Sequence, residues 1–327
     1  MYYIESPSTD ACFNLALEEY VFESLPRAES YFMLWQNRDT VVVGKYQNTA
    51  EEINADYVRE RDIAVVRRLS GGGAVYHDLG NLNFTFIVDQ GGGAGPDFQS
   101  FVDPVLRALA QIGVKAERSG RNDICIEGKK ISGNAQYSKN GRTMHHGTLL
   151  FNSDLSVLGE VLRVRADKIQ SKGVKSVRSR VTNIQEHLER PVDLPEFQSL
   201  LLRHLFAEND LEVYPLTETD LERTEILCAE KYGTWAWNYG RSPAYTARRE
   251  RRFEFGSVTA LLSVTEGRIQ MLSFYGDFFG NGDLEELSAA LTGCELREPA
   301  LLAALEGIDV GHYIHGMDAA LLCALLC

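Results

Sequence analysis

The sequence predicts an α/β (α+β) protein, and three observations carry that expectation. Apolar runs of strand length alternate with stretches of helical spacing through the first half of the chain. A strand–turn–strand–turn–strand pattern fills residues 122–152. Near residue 240 the composition changes, and strands followed by helices suggest a small α+β unit of its own.

The elements follow in order. "NLALEEYVFESL" (14–25) has apolar positions at helical spacing, with Asn14 as the expected cap. "SYFMLWQ" and "TVVVGKY" read as strands, and the "NRD" between them reads as the turn of a hairpin. Residues 50–61 look helical, "DIAVVRRL" is a buried strand leading to three glycines, and "LNFTFIV" is the next strand. "GGGAGP" (91–96) reads as a surface loop, and a helical signal covers 98–112. Residues 154–230 are helix-rich with basic patches at 163–180, and "WNYGRSPAYTARRERRFEFG" connects to the last unit. No internal repeat is present.

Composition limits the function. The 327 residues suffice for a large core and more than one domain. A formal net charge of −13 argues against general affinity for nucleic acid or anionic membrane. There is no apolar stretch of spanning length and no secretory signal pattern, so a protein without a membrane span is expected. The six cysteines form no CxxC pair, and their spacing suggests neither a disulfide framework nor zinc ligation. Reduced thiols in a cytoplasmic compartment are the expectation.

Chemistry concentrates in three polar islands. "RRLSGGGAVYHDLGNLNF" (67–84) places an arginine pair and three glycines before His77, Asp78 and Asn83. Glycines let a backbone approach a ligand closely, and the amides of such a loop can hold phosphate oxygens, although plain turns use the same residues. Neither GxxxxGK[ST] nor a GxGxxG opening a helix is present. Arg67 and Arg68 are adjacent on a strand, so one is expected to face the site and the other to make structural contacts. His77 can serve structure, touch a ligand or move a proton; Asn83 can read a ligand edge or stabilise a turn. "GRNDICIEGKKISGNAQ" (120–136) presents one of Lys129 and Lys130 inward. In "MHHGTLLFN", His145 and His146 point to opposite faces, which disfavours a histidine metal site.

Together these islands resemble the lipoate–protein ligases. The likeness runs through "FNLALEE", "DTVVVGKYQN", "RRLSGGGAVYHDLGNLNFTF", "GRNDICIEGKKISGNAQ", "HHGTLLFN", "KGVKSVRSRVTNI" and "WAWNYGRSPAY", covering nearly all of residues 1–250 in the family's order. The resemblance implies a catalytic domain over 1–246, of the class II synthetase and biotin–lipoate ligase kind with mixed sheets flanked by helices. It also implies a small accessory domain over 247–327. By position, Arg68, Gly73, Ala74, Val75 and Tyr76 would contact ATP, and Lys130 would be the essential lysine touching ATP and lipoate. His77, Asn83, Asn122, Asp123, His146 and Thr148 would line or support the pocket, with Asp123 as the Mg²⁺ ligand. The implied activity activates lipoate as lipoyl-AMP and passes the lipoyl group to a lysine of lipoyl domains of 2-oxoacid dehydrogenase E2 subunits or of glycine-cleavage H protein. A monomer is expected. The acyl slot is expected near Trp35, Val42, Val43 and Val75, and acceptor docking near Lys172, Lys175 and Arg178. Trp235 and Trp237 are expected to alternate on an extended segment that fastens the end of the catalytic domain. The rival is an acyltransferase of the same fold with a cysteine nucleophile, for which Cys12 and Cys125 are the candidates.

Overall fold

Strand β6 (Asn81–Asp89) alternates two chemistries, with Asn81, Asn83 and Thr85 on one face and Leu82, Phe84 and Phe86 on the other. That alternation organises the molecule. In the computed structural model, which describes residues 1–89, 98–162, 180–206, 212–239 and 247–327, β6 is a central strand of an eight-stranded mixed sheet.

The other members of that sheet are β1 (Tyr2–Glu5), β2 (Tyr31–Trp35), β7 (Glu117–Ser119), β8 (Asp123–Ile126), β9 (Lys129–Lys139), β10 (Arg142–Leu150) and β11 (Glu212–Val213), in the order β11-β1-β2-β6-β10-β9-β8-β7. The antiparallel register sets Thr148 opposite Asn83 and His146 opposite Thr85. All four therefore share one face, while His145, opposite Phe86, looks the other way. The apolar face packs under α4 (Phe98–Gln111) and the helix Leu194–Leu205, around Phe84, Phe101, Val105, Phe151 and Phe197.

The polar face is covered by α1 (Ala11–Ser24) and by a small second sheet. The latter comprises β3 (Thr40–Val43), β4 (Ala64–Arg67) and β5 (Val75–His77), with β3 parallel to β4 and antiparallel to β5. Val42 and Val66 turn toward α1, whereas Val41, Val43 and Val65 face outward to α3 (Ala55–Glu60) and its neighbours. The C-terminal unit is an antiparallel meander, β12 (Ala247–Phe253), β13 (Gly256–Thr265) and β14 (Arg268–Gly276), with four helices over a core that includes Leu262, Phe274, Leu287 and Leu322.

Three local expectations are corrected. Helix α1 starts earlier than its apolar pattern suggests, because Asp10 is the cap and accepts from the Phe13 amide at 3.1 Å. Asn14 lies inside the helix, fully buried, and donates to Gln36 O at 2.7 Å and Asn37 Oδ1 at 2.9 Å. Second, β2 and β3 do not form a hairpin. All five residues of β2 are buried and its two edges pair with β1 and β6, so "NRD" carries the chain to another sheet. Third, Trp235 and Trp237 lie on a short helix, Trp235–Asn238, capped by Thr234. The 91–96 loop, Lys172, Lys175, Arg178 and much of the expected connection after residue 240 lie outside the described residues.

Candidate active site

The arginine pair divides as strand geometry requires. Arg67 turns away from the site and donates to Gly44 O at 2.8 Å, Gln47 O at 2.7 Å and Thr49 Oγ1 at 2.6 Å. Its own amide donates to Asn238 Oδ1 at 2.9 Å, and Trp237 Nε1 donates to its carbonyl at 2.8 Å. It is a structural clamp. Arg68 turns inward, lines a cavity, and spends its donors on the glycine segment: Ser70 Oγ at 3.0 Å, Gly71 O at 2.6 Å and Gly73 O at 2.9 Å. Burial pushes this guanidinium down to about 10, which leaves it charged at neutral pH.

That cavity encloses about 110 Å³. Its wall is apolar at Leu15, Trp35, Val42 and Val75 and polar at Arg68, His77, Asn83, Asn122, Lys130, His146 and Thr148. Of the residues expected to line an acyl slot, Val43 is not there; it points to the outer core because it alternates with Val42. A second, wider cavity lies alongside and is lined by Tyr76, Asp123, Cys125, Arg180 and Val181. Ala74, Val75, Lys130 and Thr148 form the wall between the two.

Lys130 thus stands at a junction. Its ammonium pairs with Asp123 Oδ1 at 2.8 Å. Gly133 makes room for it, because a Cβ there would come within 2.8 Å of Lys130 Nζ. A glycine three positions after the lysine, in "KISG" (130–133), therefore suits this geometry. Thr148 Oγ1 accepts from the Gly133 amide at 3.1 Å, and Asn122 Nδ2 donates to Asn134 O at 2.8 Å, so both fix the backbone around that lysine.

Among the described residues, two polar groups in the inner cavity lack partners. Asn37 Nδ2 donates to His77 Nδ1 at 3.0 Å, which leaves the imidazole proton on Nε2, a buried atom with no hydrogen-bond partner. Burial, with Arg68 and His146 nearby, pushes His77 down to about 3, so it is neutral at neutral pH. Asn83 takes one hydrogen bond from Asn81 at 2.9 Å, while its own Nδ2 is unpartnered. Buried donors without acceptors are costly, and two in one cavity suit an oxygen-bearing ligand.

Behind the polar wall runs a chain the sequence did not disclose. Arg68 Nε donates to Ser70 Oγ; the Ser70 hydroxyl lies 2.6 Å from His146 Nε2; His146 Nδ1 lies 3.0 Å from Glu18 Oε1. Thr85 Oγ1 also donates to Glu18 at 2.5 Å, and Trp35 Nε1 donates to Thr85 Oγ1 at 2.9 Å. The donors run one way, toward the carboxylate. Ser70 does not line the cavity and its oxygen already accepts from Arg68, so the chain positions groups and supplies no nucleophile. Glu18 was missed because "LALEEY" resembles an ordinary helix with acidic residues; the available signal was its place between Leu15 and Phe22 on the apolar face.

The cysteine candidates do not fit nucleophilic chemistry. Cys125 is buried and burial pushes its thiol up; Cys12 is pushed to about 12 and lines neither cavity.

The C-terminal unit touches the glycine segment directly. The Gly72 amide donates to Phe278 O at 3.1 Å, the Gly276 amide donates to Tyr46 O at 2.7 Å, and the Arg121 guanidinium lies 4.5 Å from the centre of the Phe279 ring.

Comparison with known proteins decides the family. The lipoyl protein ligase A/B catalytic domain matches residues 10–206, more than half of the chain, and the bacterial lipoate protein ligase C-terminus matches 242–326. The chain belongs to the lipoate–protein ligase family. It is 49% identical over 310 residues to lipoate–protein ligase 1 of Staphylococcus aureus, covering 95% of this chain and 94% of that protein. A bipartite lipoate protein ligase of Thermoplasma acidophilum, whose structural analysis included its E2 lipoyl domain, aligns with TM-score 0.64 and 30% identity over 75% of this chain and 98% of that one. A lipoate-protein ligase A crystal structure with bound ATP aligns with TM-score 0.63 and 28% identity, over 73% and 98%. Among lipoate–protein ligases, then, this chain pairs a ligase fold with a cavity whose wall combines apolar side chains, unpartnered donors and a lysine.

Proposed function

We propose that this enzyme is an ATP-dependent lipoate–protein ligase that forms lipoyl-AMP and then lipoylates a lysine of an acceptor protein. The observation that carries the reading is Lys130, an ammonium on the wall shared by an apolar-ended cavity and a wider one that Asp123 and Arg180 also line. The inner cavity suits the aliphatic tail and dithiolane of lipoate against Trp35, Val42 and Val75. The nucleotide occupies the outer side, across Gly73, Ala74, Val75 and Tyr76.

The carboxylate of lipoate attacks the α-phosphorus of ATP and pyrophosphate leaves. Charge gathers on phosphoryl oxygens in that step, and Lys130, with Arg68 behind the loop, is already in place to stabilise it. His77 Nε2–H and Asn83 Nδ2 donate to oxygens of the acyl phosphate. In the second step the neutral amine of an acceptor lysine attacks the acyl carbonyl, AMP leaves, and the attacking nitrogen gives up a proton to solvent as the amide forms. Lys130 polarises that carbonyl and is not itself acylated. Asp123 is the one acidic side chain on these cavity walls among the described residues, and one carboxylate plus phosphate oxygens is a donor set that magnesium accepts. A Mg²⁺ held by Asp123 would neutralise charge on the phosphate oxygens.

The acceptors in this reading are lipoyl domains or H-type proteins, met by a monomer in the cytoplasm. Residues 1–246 form the catalytic domain and 247–327 the accessory one. No helix among the described residues is long and apolar enough to cross a membrane. ATP–pyrophosphate exchange without acceptor tests the reading: exchange that depends on lipoate supports it. Absence of exchange, with octanoyl transfer abolished by alkylating Cys125, overturns it in favour of the acyltransferase.

A further inference from the structure

We propose that Asp10, Cys12 and Cys228 form a binding site for a zinc-type divalent cation, separate from the active-site cavities. Cys12 is in the first turn of α1, and Cys228 opens the π-helical turn Cys228–Tyr232 that packs against it. One donor atom from each of the three residues lies within 4.8 Å of the others. Cys12 Sγ donates to Tyr232 O at 3.3 Å. Asp10 uses Oδ1 to cap the Phe13 amide at 3.1 Å, which leaves its second oxygen available.

The donor set selects the cation. Two thiolates and a carboxylate suit zinc, whereas magnesium and calcium take oxygen ligands alone. Cys12 and Cys228 are half-buried and Asp10 is exposed, so the cation can enter from the Asp10 side, where water completes four-coordination. None of the three lines either active-site cavity. The bound ion would bolt the start of α1 to the turn that already holds Glu19 through Lys231 at 2.7 Å and Tyr232 Oη at 2.7 Å. Sequence spacing hides the site because its thiols come from distant segments that only the fold unites.

Binding must release protons. Metal ligation needs thiolates, so the cation displaces a proton from each sulfur it binds.

The test uses the full, reduced chain. Cobalt(II) titration should give a thiolate-to-metal charge-transfer band saturating at one ion per chain; Cys12→Ser and Cys228→Ser should each abolish it, and Cys323→Ser should leave it unchanged. In the unaltered chain, Zn²⁺ should protect Cys12 and Cys228 from alkylation, read by peptide mass, so the result does not depend on a variant that folds. No thiolate band, a band indifferent to Cys12→Ser, or a Cys12–Cys228 disulfide formed with peroxide but no metal protection would each overturn the site.

Discussion

His146 and Glu18 meet face to face under the polar wall of the cavity, with Nδ1 and Oε1 3.0 Å apart and both side chains nearly sealed from solvent. Because Nδ1 donates to the carboxylate, Nε2 is left to accept from Ser70, and Ser70 is left to accept from Arg68. One buried carboxylate thereby sets the orientation of every group up to the glycine segment. Glu18→Gln can turn its amide toward Nδ1 and reverse the tautomer of His146. Loss of a hydrogen bond to a charged group costs about 1.5–3 kcal/mol, so kcat/KM for pyrophosphate exchange should fall about 10- to 100-fold. Steady-state exchange kinetics check this, and unchanged kinetics would refute the chain's role.

Lys130 should be the most sensitive single position. Removing a preorganised donor costs about 2.7–4 kcal/mol, so Lys130→Ala should lower turnover about 100-fold or more. Near-normal turnover would remove it from the mechanism. Gly133→Ala probes the same group from outside, since its Cβ would come 2.8 Å from Nζ. The lysine must move off the wall between the cavities, so Gly133→Ala should lose activity with little change in thermal midpoint. A thermal loss matching the activity loss would mean that the glycine serves the strand alone.

Acid should destabilise the fold through two buried histidines. Burial is the first cause that pushes His77 and His145 down to about 3, and His145 stacks on Phe101 at 4.8 Å. Both are neutral in the folded chain, while the unfolded chain takes up their protons near the ordinary value of about 6.5. The stability they permit is therefore complete above about pH 6.5 and is lost progressively as pH falls toward 3. Each contributes a slope of at most about 1.4 kcal/mol per pH unit. Urea unfolding at pH 7, 6 and 5 should show the decline, and His145→Gln should make it shallower.

Legibility in the sequence followed locality. The alternation of β6, the opposed faces of His145 and His146, and the division of labour between Arg67 and Arg68 need only neighbouring residues and a strand period. The hairpin failed because strand partners are chosen by buried edges elsewhere in the chain, not by the short connection. Asn14 failed as a cap because a better one stood four residues earlier and its own amide was needed by Gln36 and Asn37. Glu18 and Ser70 became visible only when the fold laid them on either side of His146.

The last prediction concerns Gly71, where the C-terminal unit rests on the glycine segment. A Cβ at this position would lie 2.3 Å from Phe278 O and 3.0 Å from Phe279 Cα, and backbone cannot yield as a flexible side chain can. The neighbouring contact, Gly72 N to Phe278 O at 3.1 Å, would then be lost. At Gly73 a Cβ would have no described atom outside its chain neighbours within 4 Å, so the same substitution there meets open space. Gly71→Ala should therefore loosen the C-terminal unit, read as faster proteolysis between residues 240 and 256, while Gly73→Ala leaves that rate unchanged. Equal proteolysis of both variants would show that the unit is held by Tyr46 and Phe278 stacking, at 5.0 Å, and not by the glycine contact.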